Sequence, residues 1–190
     1  ITTGDGNDRI FLGEGADTVI TGSGNDLVDF SEINAKRDTI VFNSADASNG
    51  FDIVYGFKQD QGGDLIDISD FVSEKVEILP VIFVDSVPLG YISNHLMRLV
   101  GEDLDTAAGV KKAFGTGGDF NNLKLSDYLN ILCLTASSAN TGVSQNLFSI
   151  QKSDSDSYEI LNIASFVGNY LDIDMWSSDN FTNINEGFIT

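Results

Sequence analysis

The sequence predicts an all-β dominated chain in which short parallel strands stack as a coil and are continued by further strands, with two short α-helices. Three observations predict it. Residues 3–29 repeat with a strict nine-residue period, glycine and aspartate hold fixed places in that period, and later segments alternate polar with apolar residues.

The repeats are Thr3-Gly4-Asp5-Gly6-Asn7-Asp8-Arg9-Ile10-Phe11, then Leu12 to Ile20, then Thr21-Gly22-Ser23-Gly24-Asn25-Asp26-Leu27-Val28-Asp29. Glycines take the second and fourth places (Gly4, Gly6; Gly13, Gly15; Gly22, Gly24), aspartate the sixth (Asp8, Asp17, Asp26) and an aliphatic the eighth (Ile10, Val19, Val28). Glycine lets the backbone turn at positive φ, and the short strand that follows points its aliphatic into a core. A single Gly-Asp-rich stretch would be an ordinary polar turn; three in register are a repeat.

This pattern resembles the RTX (repeats-in-toxin) calcium-binding nonapeptide repeat. The resemblance implies a parallel β-roll (an RTX β-solenoid), with two half-turns per coil and Ca²⁺ held between stacked loops. Loops on one side then lie eighteen residues apart. The family's ligand set implies the carbonyls of Gly4 and Gly6 with the Asp8 carboxylate, joined by the carbonyls of Thr21 and Ser23 with the Asp26 carboxylate. All-oxygen ligation of this kind suits Ca²⁺. On the opposite side Gly13, Gly15 and Asp17 need a partner loop. The candidate is the degenerate repeat ending Arg37-Asp38-Thr39-Ile40-Val41, which is three residues late and lacks glycines. In secreted RTX proteins an Asp in the place of Asp52 supplies a last ligand; the alternative is that Asp52 only opens a strand.

Composition agrees. The net charge is −19, which repels nucleic acid and anionic lipid and favours a divalent cation as partner. The acids are mostly Asp, suited to turns and hard-cation sites. Cys133 is the single cysteine, so no intrachain disulfide forms, and no cysteine–histidine cluster offers zinc a site. No apolar stretch is long enough for a transmembrane helix, so direct membrane insertion is not expected, and no N-terminal signal is visible. The chain opens within the repeat pattern and reads as part of something longer.

Gly50 to Phe57 and Asp64 to Phe71 alternate as half-buried strands, with the pattern of a sheet edge. Residues 1–72 are expected to form the roll and its closing strands, and residues 73–190 a strand and helix cap. In that cap Val81 to Val84 and Leu96 to Val100 read as strands about a turn at Pro88-Leu89-Gly90. Asp105 or Thr106 caps a helix running to Phe114, with Lys111 and Lys112 near its C-terminal end. Ser126 is expected to cap a second helix with Tyr128, Leu129, Leu132 and Ala136 on one face and Cys133 buried beside them. Leu147 to Ile150 and Tyr158 to Leu161 read as a hairpin. Asp154 and Asp156 in its turn resemble the start of an EF-hand loop but lack that motif's glycine and distal Glu. His95 is the only histidine and no nucleophile motif accompanies it. No catalytic residue is expected.

The ending Asn185-Glu186-Gly187-Phe188-Ile189-Thr190 resembles the uncleaved C-terminal signal of type I secretion substrates. Element order in the C-terminal part is similar to that of RTX-type bacterial surface-layer proteins. The resemblance implies a secreted protein, loose at low calcium and compact outside the cell, that self-associates into a surface lattice. The rivals are the secretion and folding module of an RTX adhesin, or that of a secreted protease, lipase or toxin.

Overall fold

Six short strands follow the loops in turn: β1 (Arg9–Phe11), β2 (Thr18–Ile20), β3 (Leu27–Asp29), β4 (Thr39–Val41), β5 (Asp52–Tyr55) and β6 (Leu65–Asp67). A computed structural model of the chain describes residues 1–34, 36–43, 47–59, 62–71, 76–83, 90–92, 95–118, 120, 123–125, 130–137, 144–153, 157–168, 171–173, 176, 178–182 and 184–186. The strands stack in parallel on two walls, β1-β3-β5 and β2-β4-β6. The aliphatics Ile10, Val28 and Val54 on one wall, and Val19, Ile40 and Ile66 on the other, are buried between them. This is the parallel β-roll the repeat predicts.

The coil pitch is not constant. Arg9 pairs with Leu27 at the predicted eighteen-residue offset, whereas Leu27 pairs with Ile53 and Thr39 with Leu65, offsets of 26. Thr18 pairs with Thr39 at an offset of 21. The extra residues lie in the loops, so strand register survives the loss of sequence period. Loop insertions cost little entropy, while a slipped register would turn Val28 or Ile40 outward.

Eight further strands lie among the described residues: β7 (Val76–Phe83), β8 (Gly90–Ile92), β9 (His95–Gly101), β10 (Leu123–Leu125), β11 (Asn130–Ser137), β12 (Ser144–Ser153), β13 (Ser157–Val167) and β14 (Ile184–Glu186). One wall of the roll runs straight into them, giving the nine-stranded order β1-β3-β5-β13-β12-β11-β9-β7-β14. The seam is parallel, with Ala164 beside Asp52 and Val167 beside Tyr55. β5 is therefore an interior strand and not the edge its alternation suggested. The β12–β13 hairpin is present, with a bulge at Leu147/Phe148; Asp154 and Asp156 lie outside the described residues. So do Val84, Pro88, Leu89 and residues 187–190, while Gly90 opens β8.

Helix α1 (Ala107–Phe114) is capped by Thr106, whose hydroxyl accepts from the Gly109 amide at 3.0 Å. Lys111 and Lys112 sit in its last turn, and Val110, Ala113 and Phe114 are buried. The second helix is a correction: residues 130–137 form β11, and Ser126, Tyr128 and Leu129 lie outside the described residues. Residues 132–136 are all buried. Leu132, Leu134 and Ala136 join the core shared with the roll, and Cys133 joins the core under α1. A strand covered on both faces reads as a continuous apolar run, which a helical stripe mimics.

The roll and the C-terminal sheet share one hydrophobic core. At its centre the Phe57 ring lies 5.6 Å from Phe30, 5.0 Å from Phe166 and 5.2 Å from Trp176. Buried Gln145 accepts hydrogen bonds from Gln59 (2.8 Å) and from the Trp176 indole. Phe57→Ala is expected to cost about 3–5 kcal/mol in calcium-saturated denaturant titrations. The single tryptophan, Trp176, makes intrinsic fluorescence the readout at this junction.

Candidate metal centre

Each strand of the roll is preceded by an aspartate or, in β5, opens on one, and the coil brings these into two columns. On the first side the Asp8 amide donates to Asp26 Oδ1 at 2.8 Å, and the Asp26 amide donates to Asp52 Oδ1 at 2.9 Å. On the second side the Asp17 amide donates to Asp38 Oδ1 at 2.7 Å, and the Asp38 amide to Asp64 Oδ1 at 3.0 Å. One carboxylate oxygen at each of these rungs thus serves the ladder. The Oδ2 atoms of Asp8, Asp17, Asp26, Asp38 and Asp52 are shielded from solvent and have no hydrogen-bond partner.

The loops of the first side stack closely enough to require glycine. Gly22 and Gly24 have φ of 84° and 125°, and a Cβ at either would lie 2.1 Å from the carbonyl oxygen of Gly4 or Gly6. The Ser23 amide donates to Gly4 O (3.0 Å) and the Gly6 amide to Ser23 O (2.8 Å). The Thr21 carbonyl accepts from the Thr3 hydroxyl at 2.5 Å. Carbonyl oxygens have a second lone pair, so these bonds leave acceptor capacity at Gly4, Thr21 and Ser23. A second ladder runs beside the aspartates: Asn25 N to Asn7 Oδ1 at 2.9 Å and Phe51 N to Asn25 Oδ1 at 2.8 Å.

The second side is built differently. Gly13 and Gly15 turn at φ of 80° and 137°, but glutamates complete the stack. Glu14 accepts from the amides of Ile33 (2.9 Å) and Asn34 (3.2 Å), and Glu32 accepts from the Gly15 amide (3.3 Å). These bonds hold the longer loop that carries Asp38.

Burial is the leading influence on the ladder carboxyls. It raises the pKa of Asp52 to about 7, against the hydrogen bond from Asp26 N–H and helped by the Asp26 carboxylate. It raises Asp64 to about 6 and shifts Asp26 and Asp38 upward too. A hard divalent cation is the partner such a set lacks: paired carboxylate oxygens, desolvated, beside backbone carbonyls. Among the described residues no three His, Cys, Asp or Glu side chains converge; the main-chain carbonyls of Gly4, Thr21 and Ser23 offer further oxygen donors beside the paired carboxylates.

The coil therefore brings together Asp8, Asp26 and Asp52 with Gly4, Gly6, Thr21, Gly22, Ser23 and Gly24, and on the other side Asp17 and Asp38 with Gly13 and Gly15. Two features lay beyond the sequence reading, Asp64 and the asparagine ladder. The signal for Asp64 was present: Asp64-Leu65-Ile66 repeats the aspartate-x-aliphatic order of Asp26-Leu27-Val28 and Asp38-Thr39-Ile40.

Because the folded pKa values of Asp52 and Asp64 are raised, their contribution to stability is full below about pH 4 and is lost as pH rises through 6 and 7. In chelator, the melting temperature is expected to be higher at pH 5 than at pH 8. A melting temperature that rises with pH across that interval would contradict this electrostatic picture.

Residues 1–29 match a family model described as the RTX calcium-binding nonapeptide repeat, in four copies. No curated protein and no solved structure matches the chain. The segment that begins both aspartate columns thus consists of RTX nonapeptide repeats, and the ion those repeats bind is Ca²⁺.

Proposed function

We propose that the chain is a calcium-folded structural module of a secreted protein, in which residues 1–72 form the calcium-responsive roll and residues 73–190 its cap. The observation that carries this reading is the set of five buried, unpartnered aspartate oxygens arranged in two columns. One ion lies between Asp8 and Asp26 and one between Asp26 and Asp52, with carbonyls of Gly4, Gly6, Thr21 and Ser23 completing the first. Another lies between Asp17 and Asp38 beside Gly13 and Gly15. Because these sites do not exist in the unfolded chain, binding free energy becomes folding free energy. The chain stays loose at the low calcium of the cytosol, passes through type I secretion machinery by its C-terminal signal, and compacts outside.

The role in this reading is non-catalytic and rests on the calcium-binding repeat; among the described residues no helix is long and apolar enough to cross a membrane. Its destination is a surface layer, where folded copies pack into a lattice. Phe11 and Ile33, 60% and 93% exposed on the roll, offer apolar contacts for self-association.

Sedimentation velocity across a calcium titration that starts from chelator tests both halves. Compaction followed by association is expected. Compaction to a monomer would move the chain to the folding module of an adhesin, protease, lipase or toxin, and no change would remove the calcium mechanism. Asp26→Ala, which removes the carboxylate common to two pairs, should need more calcium to compact than Asp8→Ala, which touches one.

A further inference from the structure

The two columns end differently. On the first side the last rung, Asp52, keeps an unpartnered Oδ2. On the second, Asp64 Oδ2 accepts from the Lys58 amide at 2.9 Å, and the Asp64 amide donates back to the Lys58 carbonyl at 2.9 Å. Lys58 and Asp64 are thus doubly hydrogen-bonded to each other. Asn180 braces the pair from the C-terminal segment, its Nδ2 lying 3.1 Å from Asp64 O and 3.3 Å from Lys58 O.

Strand register shows what Lys58 replaces. Phe11, Asp29 and Tyr55 stand side by side in β1, β3 and β5. Three residues further on, successive coils carry Glu14, Glu32 and Lys58. The third coil thus has a cation where the first two have acids. Lys58 Nζ lies 3.6 Å from Glu32 Oε1, and the Glu32 side chain is fully buried while the lysine side chain is one-third exposed, at 33%. The ammonium nitrogen itself is shielded from solvent and makes no hydrogen bond, so its partner there is charge. Glu32 in turn accepts from the amides of Gly15 and Lys36, which fixes its carboxylate in the second side's loops. Burial raises the carboxyls of Asp38 and Asp64, and the positive charge of Lys58 opposes that rise only in part. A buried ammonium persists only where acids surround it, and a divalent ion brought beside it would be repelled.

We propose that Lys58 is a built-in cation closing the second column: its ammonium stands in for a calcium ion at the end of the roll nearest the C-terminal sheet. The column then takes an ion between Asp17 and Asp38 and none between Asp38 and Asp64, and this end of the roll already holds a cation, paired with Glu32, before any ion binds. The proposal rests on the calcium-clamped reading above and adds an asymmetry to it. Folding has a calcium-independent foothold at the Lys58 loop, from which the ion-dependent coils build toward residue 1.

The test is to count calcium ions bound per chain by equilibrium dialysis for the wild type, Lys58→Met and Lys58→Arg, with melting temperatures in chelator and in saturating calcium. Lys58→Met is expected to bind one more ion than the wild type. It should melt lower in chelator and recover in calcium, while Lys58→Arg keeps the wild-type count. An unchanged count with equal loss of melting temperature in both conditions would overturn the proposal. So would failure of Lys58→Met to fold in saturating calcium, because the missing charge should be replaceable. A wild type that binds no calcium would instead overturn the roll reading on which the proposal rests.

Discussion

A carboxylate has two oxygens, and the roll uses them for different purposes. At Asp26, Asp38 and Asp52 one accepts the amide of the aspartate in the neighbouring coil and so fixes the stacking, and the other is left shielded from solvent without a donor. That division makes the stack incomplete by construction. Burial pushes Asp52 to about 7 and Asp64 to about 6, and each pKa unit corresponds to about 1.4 kcal/mol between charged and neutral forms. Protons relieve the strain at acid pH, and a divalent cation relieves it at neutral pH without giving up the charge.

The roll joins the rest of the chain at the β5–β13 seam and, on its other wall, at Ile66 beside Phe181. Since β5 begins at Asp52, the same residue ends the first aspartate column and lies beside Ala164 in the seam. Asp52 thus belongs to both the ladder and the seam, and the sheet continues from β13 through β12 to β11. Phe57, two residues beyond β5, is packed against Phe166 and Trp176 from the C-terminal part. The aromatic cluster makes roll and sheet one packed body.

The sequence carried the roll plainly because glycine, aspartate and aliphatic recur at fixed spacing, and backbone sterics leave such a pattern few conformations. It carried the ladder residues Asp8, Asp17, Asp26, Asp38 and Asp52, the last two despite degenerate loops. Asp64 was passed over although Gly62, two residues before it at φ 81°, keeps one of the repeat's two glycines and its strand keeps the aspartate-x-aliphatic order. β11 was hidden for a different reason: a strand buried on both faces loses the alternation that distinguishes it, so Leu132 and Ala136 mimicked a helical stripe. The pairing of β5 with β13 had no local signal, since it joins residues more than a hundred positions apart.

The central claim is that filling the aspartate columns orders the roll and the C-terminal sheet as one unit, and hydrogen exchange with and without calcium tests it most directly. The amides of Asp8, Asp17 and Asp26, which donate to the next rung, and those of Ala164 to Val167 at the seam should gain protection together as calcium is added. Protection already complete in chelator, or calcium-dependent protection confined to the loops while the seam stays unchanged, would contradict the account.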